Sequence, residues 1–197
     1  MPAAPPTTPG TITLARHGEP ALSRKITLNA EGYRRWWAQY EEGGILDGQT
    51  PPDDLVEFAR CAKVIFASTR RRARETAAAV VGAKVVVDHD MFIEAPLPPP
   101  RLPSFLKFDP RVWGFLARLS WWLGLSPNED ETRPQAQARA REVADHLILA
   151  ATHQGDVLVL AHGFFNHMVG DELKKRGWRL VRNRGFRYWS VRSFEKR

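Results

Sequence analysis

Two histidines in this chain each stand directly behind a short apolar run, with arginines nearby. Arg16-His17-Gly18-Glu19 follows Thr11–Ala15, Ser68-Thr69-Arg70-Arg71-Arg72 follows Lys63–Ala67, and His162-Gly163 follows Asp156–Ala161. A guanidinium presents a planar fork of donors that matches phosphate oxygens. A neutral imidazole attacks phosphorus through one nitrogen while the other keeps its proton. Gly18 and Gly163 allow backbone and ligand to approach closely. Two imidazoles and several guanidiniums gathered in one place describe a site for phosphoryl transfer, in which charge spreads over three equatorial oxygens.

For these groups to meet, the runs that precede them must be neighbouring strands. Thr11–Ala15, Lys63–Ala67, Lys84–Val87 and Asp156–Ala161 read as strands, with a possible last strand at Tyr188–Phe194. Between them, helical patterns cover about Ala30–Tyr40, Arg70–Val81, Pro134–Ala150 and Phe165–Lys175. Strands alternating with helices predict an α/β fold with three layers, a mostly parallel central sheet covered by helices on both faces. In such sheets ligands bind outside the carboxyl ends of the strands, where the polar clusters lie. Residues 1–10 read as a disordered Pro/Ala/Thr-rich tail, and residues 11–197 as a single domain with a Pro/Trp-rich insertion at about 95–131. The insertion is expected to turn helical after Asp109-Pro110. Such a segment could roof a pocket, make a dimer contact or touch a membrane surface; packing on the domain through Trp113, Leu116, Leu119 and Leu123 is favoured, with a substrate lid as the next choice.

Composition narrows the classes. The chain has 197 residues, 43% hydrophobic and 26% charged, enough for one domain with a full core. A single cysteine, Cys61, excludes an intramolecular disulfide framework and a Cys-rich zinc site, and suits a cytoplasmic setting. No apolar run approaches the roughly 20 residues that cross a bilayer, so no membrane partner is expected. The net charge of +7 is compatible with phosphorylated substrates or nucleic acid, but solvated surface arginines are the favoured account of it. His89, His146, His153 and His167 show no metal-ligand spacing, so neither metal nor cofactor is expected. Phosphate-binding Gly-rich loops of the GxxxxGK[ST] and GxGxxG kinds are absent, as is a Gly-x-Ser-x-Gly elbow around Ser68.

The three blocks together carry a resemblance. Arg16-His17-Gly18-Glu19 after an apolar strand resembles the signature of the histidine phosphatase superfamily, the phosphoglycerate mutase-like proteins. Ser68, Arg72, Ala73, Thr76 and Ala77 fit its Ser-x-x-x-Arg-Ala-x-x-Thr-Ala pattern, and LVLAHG resembles its late-histidine block. The resemblance spans roughly Thr11 to Val169. It implies that His17 is a nucleophile forming a phosphohistidine, that Arg16 and Arg72 bind phosphate oxygens, and that His162 holds the transferring group. It also implies an acidic proton donor after the third strand, matched by Glu94, with Asp88 and Asp90 close enough to substitute. The role of Glu19 is left open.

Two departures separate the chain from the mutases of that family. Ser23 stands where many of them have asparagine, and no basic substrate-clamping segment can be read. The expectation is therefore a metal-independent phosphohydrolase acting on a small phosphate ester or a phosphoprotein, with a phosphoglycerate-type mutase or a non-catalytic phosphate-binding regulator as alternatives. Nucleic-acid binding through Lys174–Arg197, with Trp178 and Tyr188 interleaved, is the outlying alternative and is not expected. Nothing in the sequence decides the oligomeric state.

Overall fold

A computed structural model describes residues 8–125 and 131–196. Its centre is a six-stranded sheet built from β1 (Ile12–Arg16), β2 (Val64–Ser68), β3 (Val87–His89), β4 (Val157–Ala161), β5 (Trp178–Asn183) and β6 (Val191–Lys196). The strand order is β3-β2-β4-β1-β6-β5. β1, β2, β3 and β4 pair in parallel, while β6 runs antiparallel to both β1 and β5. The protein is thus α/β with a mostly parallel sheet.

β4 explains why the sheet is sandwiched. Every residue of Val-Leu-Val-Leu-Ala is buried, because side chains alternate between faces and both faces are covered. Val157, Val159 and Ala161 join Ile12 and Leu14 of β1 beneath α5 (Arg133–Gln154) and α6 (Gly163–Lys175). Leu158 and Leu160 join Ile65 and Ala67 of β2 beneath α2 (Asp53–Cys61) and α3 (Arg71–Val81).

A third cluster lies away from the sheet. α1 (Ala30–Glu42) and α4 (Pro110–Trp122) pack through Tyr33, Trp36, Tyr40, Trp113 and Ala117. Both helices start on a side-chain cap. Asn29 accepts from the Gly32 N–H at 2.9 Å, and Asp109 accepts from Arg111 and Val112 N–H at 2.7 and 3.2 Å, with Pro110 in the first turn. The insertion is stitched to the loop after β1 by reciprocal backbone bonds between Leu28 and Phe108, and Trp113 Nε1 donates to the Leu28 carbonyl at 2.7 Å.

Several expectations need correction. The third strand begins at Val87, not Lys84; the Lys84 ammonium instead donates to the carbonyls of Ala59, in the last turn of α2, and Ala62, just after it, each at 2.9 Å. The last strand begins at Val191, because Trp189 takes a left-handed turn (φ 60°) before it. The chain also forms α2 and β5, which the sequence reading did not identify. In the insertion Trp113 is buried and Leu116 partly so, but Leu119 and Leu123 stand in solvent. The first seven residues of the expected tail lie outside the described residues, and Gly10 is anchored, its N–H donating to the Ala151 carbonyl at 2.9 Å.

Candidate active site

Parallel pairing brings the carboxyl ends of β1, β2 and β4 side by side, with Arg16 opposite Ala161 and Ala67 opposite Leu160. The residues that follow therefore share one edge of the sheet. His17 and His162 meet edge to face, ring centroids 5.3 Å apart, and both are buried. Arg16, His17, Arg72, Glu94 and His162 all line one cavity of about 290 Å³. A larger hollow of about 710 Å³ lies beyond Glu94 and Trp37 and carries neither histidine.

The hydrogen bonds of His17 set its tautomer. Nδ1 lies 2.7 Å from the Gly18 carbonyl, which can only accept, so Nδ1 carries the proton and Nε2 keeps its lone pair. Burial, reinforced by the Arg72, Arg16 and Arg24 cations, pushes the His17 pKa well below the ordinary imidazole value. The ring is neutral at pH 7, with its lone pair on Nε2. A side chain at Gly18 would collide with the Trp189 ring, 2.5 Å from where its Cβ would stand, so this position excludes anything larger.

Ser68 and Thr76 explain their places in the motif. Ser68 Oγ lies 2.9 Å from His162 Nε2 and fixes the second ring. Thr76 Oγ1 accepts the Gly18 N–H at 2.9 Å and donates to the Arg72 carbonyl at 2.6 Å, tying α3 to the loop after β1. His162 is also driven well below the ordinary imidazole value by burial and then by Arg72 and His17.

The two predicted arginines are held differently. Arg72 is fully buried and donates to the Tyr40 carbonyl at 3.0 Å and to Glu41 Oε1 at 2.8 Å, so the end of α1 braces it. Arg16 donates to the Phe186 carbonyl and lies 4.5 Å above the Tyr188 ring. Of the three acidic candidates, Glu94 alone lines the cavity. Asp88 is paired to Arg74 at 2.6 Å, and Asp90 accepts the Thr69 hydroxyl. Glu94 takes the N–H groups of Phe165 and Phe164, at 2.8 and 3.2 Å, at the N-terminus of α6. Glu19 points to solvent and meets Gln49 through its backbone. Ser23 is not in the cavity wall, and its hydroxyl accepts the Lys25 N–H at 3.1 Å.

The sequence profile of the histidine phosphatase superfamily (branch 1) matches residues 12–196. The chain belongs to that superfamily. No curated protein matches it significantly. Among solved structures, phosphoserine phosphatase of Entamoeba histolytica in complex with 3-phosphoglyceric acid is similar at 14% identity, TM-score 0.57, covering 95% of this chain and 98% of that one. A mutant of that phosphatase in complex with phosphoserine is similar at 15% identity, TM-score 0.56, covering 93% and 89%. A mycobacterial glucosyl-3-phosphoglycerate phosphatase is similar at 20% identity, TM-score 0.54, covering 84% and 80%. These likenesses show the fold; family membership places the chain among phosphatase- and mutase-type enzymes.

In this superfamily member the cavity also holds residues that sequence reasoning missed. Arg24 donates to the Tyr40 hydroxyl at 2.9 Å and lies between the Tyr40 and Tyr188 rings, 5.2 and 5.6 Å from their centroids. Arg118 of α4 lies 3.5 Å from the centre of the Phe164 ring, forms no ion pair among the described residues, and has its pKa lowered by burial. Arg111 lines the same wall. Arg111 and Arg118 stand two turns apart on α4. Their spacing, Arg111 and Arg118 seven apart on one helical face, was the available signal. Trp178 is buried in the core and Tyr188 faces His17, so neither aromatic is presented for stacking on bases.

Proposed function

We propose that this chain is a phosphohydrolase that takes the phosphoryl group of a small phosphomonoester onto His17 and passes it to water. The observation that carries this reading is a concentration of buried polar atoms without partners. Arg16 Nε, Arg24 Nε, Arg72 Nε, Arg118 Nη1, His162 Nδ1 and the Tyr33 hydroxyl all have none among the described residues, and all six residues line the one cavity. Buried donors left unpaired cost free energy, so such a set is expected where a multivalent anion docks. Five guanidiniums face a single carboxylate in that wall, a donor set suited to an anion and not to a metal cation.

The chemistry follows from the geometry. The Nε2 lone pair of His17 forms the N–P bond as the ester P–O bond breaks, and protonated Glu94 gives its proton to the leaving oxygen. Arg16, Arg24, Arg72 and His162 Nδ1 share the charge on the phosphoryl oxygens. Water then attacks phosphorus, Glu94 takes its proton, and the N–P electrons return to Nε2. Arg118 and Arg111 lie in α4, across the roof, and exceed what one phosphate group needs. We read them as the receptor for a second acidic group on the substrate. Phosphoserine and 3-phosphoglyceric acid, bound by similar structures, are compounds of that kind. The exposed, unpaired Cys61 agrees with a cytoplasmic setting.

The test is a screen of phosphomonoesters in chelator. Phosphate release survives chelation and falls at least about 1,000-fold in His17→Ala. Arg118→Ala raises KM roughly 10- to 100-fold for esters that carry a carboxylate, and leaves p-nitrophenyl phosphate unaffected. Isomerisation of a phosphoglycerate without phosphate release would establish the mutase reading. Phosphate binding with no turnover of any ester would establish a regulator.

A further inference from the structure

The two sides of α4 have opposite character. Its inner side packs Trp113, Ala117 and Trp121 into the protein and turns Arg118 to the cavity. Its outer side carries Val112, Phe115, Leu119, Trp122 and Leu123 in solvent, Phe115 at 67%, Trp122 at 48% and Leu123 at 61% exposure. Positions 112, 115, 119 and 122 follow the three- and four-residue spacing of a continuous helical stripe. Phe105 before the helix and Leu125 after it extend the patch. An apolar surface of this size on one element is a contact surface.

Charge decides what covers it. Arg101 and Lys107 flank the stripe in solvent, and the Arg133 guanidinium lies 3.6 Å from the centre of the Trp122 ring. Among the described residues between 101 and 133 the acidic side chains are Asp109, occupied as the helix cap, and Glu131, paired with Arg139. A two-fold contact between copies sets the same patch against itself, so these cations would face one another across the symmetry axis. Each copy also carries a net charge of +7. A surface of Trp, Phe and Leu rimmed by Arg and Lys has instead the composition of a helix lying in a lipid headgroup region.

We propose that the outer face of α4 docks on an anionic membrane surface, with Phe115, Leu119 and Trp122 entering the headgroup boundary and Arg101 and Lys107 meeting lipid phosphates. From the sequence, with no spanning segment, no membrane partner is expected, and a membrane-surface contact of the insertion ranks below packing and a lid. No helix among the described residues is long and apolar enough to span. A helix that lies on the surface needs no such length. Docking there sets the helix that lines the cavity at the interface, about one helix diameter, roughly 10 Å, from the headgroups.

The test is sedimentation of the full chain with two kinds of vesicle, phosphatidylcholine alone and phosphatidylcholine mixed with phosphatidylglycerol. The expected result is binding to the anionic vesicles about tenfold or more tighter than to the neutral ones, weakened by salt. The double variant Phe115→Ser/Leu119→Ser, at two exposed positions outside the cavity wall, loses that binding while keeping the thermal melt and the turnover of a soluble ester. Failure to bind anionic vesicles overturns the proposal, and so does binding that the double variant retains. Light scattering that shows a dimer which the double variant dissociates, without vesicle binding, assigns the face to a second copy and overturns it too.

Discussion

At the scale of single residues, the site depends on partners that leave one atom of each ring free. The Gly18 carbonyl holds the His17 proton on Nδ1, and the Ser68 hydroxyl occupies His162 Nε2, so His17 Nε2 and His162 Nδ1 are the atoms left for a ligand. Glu94 is held by three backbone N–H groups, of Ala95, Phe164 and Phe165, beside them. If it supplies the leaving-group proton, Glu94→Gln lowers kcat roughly 100- to 10,000-fold for alkyl phosphates. The loss is far smaller for p-nitrophenyl phosphate, whose leaving group departs without a proton. Equal losses on both substrates would reduce Glu94 to a cap for α6. The sequence named Arg16, His17, Arg72, Glu94 and His162 because each sits at a fixed offset from a strand or a motif. Arg24 and Arg118 carry no such offset, and only folding brings them into the wall.

At the scale of elements, the cavity's histidines ride on strand ends and its roof rides on one capped helix. β1, β2 and β4 are strands that β-propensity and apolar run length announce, and their boundaries shift by only a residue. α4 is positioned less redundantly, through the Asp109 cap, the Leu28–Phe108 bridge and the Trp113 indole bond. Asp109→Ala is expected to cost about 1 kcal/mol in urea unfolding, whereas Asp109→Asn keeps most of that stability. Hydrogen exchange across α4 reports whether the loss is local to the roof. β5 escaped the sequence reading because its alternation of Trp178, Leu180 and arginines reads equally well as a basic segment. It is a strand because β6 lies beside it.

At the scale of the whole molecule, the buried imidazoles link stability to pH. Both have pKa values pushed below the ordinary 6.5 in the folded protein, by burial first and by arginine cations next. Well above pH 6.5 neither state binds these protons, and their contribution is level. As pH falls below that value the unfolded chain takes up protons that the folded chain resists, so stability falls until the folded values are reached. Urea midpoints measured downward from pH 7 are expected to drop, and the drop is shallower in His17→Ala/His162→Ala. An unchanged slope in that variant would mean that the two rings do not carry the linkage. The acid limb of kcat/KM should likewise lie below pH 6.5 if His17 acts as the free base.

Much of this protein follows from local pattern alone. Apolar runs of strand length, each ending in a polar cluster, were enough to indicate an α/β sheet and to place two histidines and an arginine at its carboxyl edge, because strand direction and hydrophobic burial act over a few residues. What needed the tertiary structure were facts that join distant segments: Arg24 and Arg118 in one wall, Glu94 rather than Asp88 or Asp90 in the cavity, and the outer face of α4 left uncovered. Those depend on which helix packs against which. A helical apolar stripe shows that two faces exist but not which of them finds a partner, and that was decided when Trp113, and not Leu119, met Tyr33.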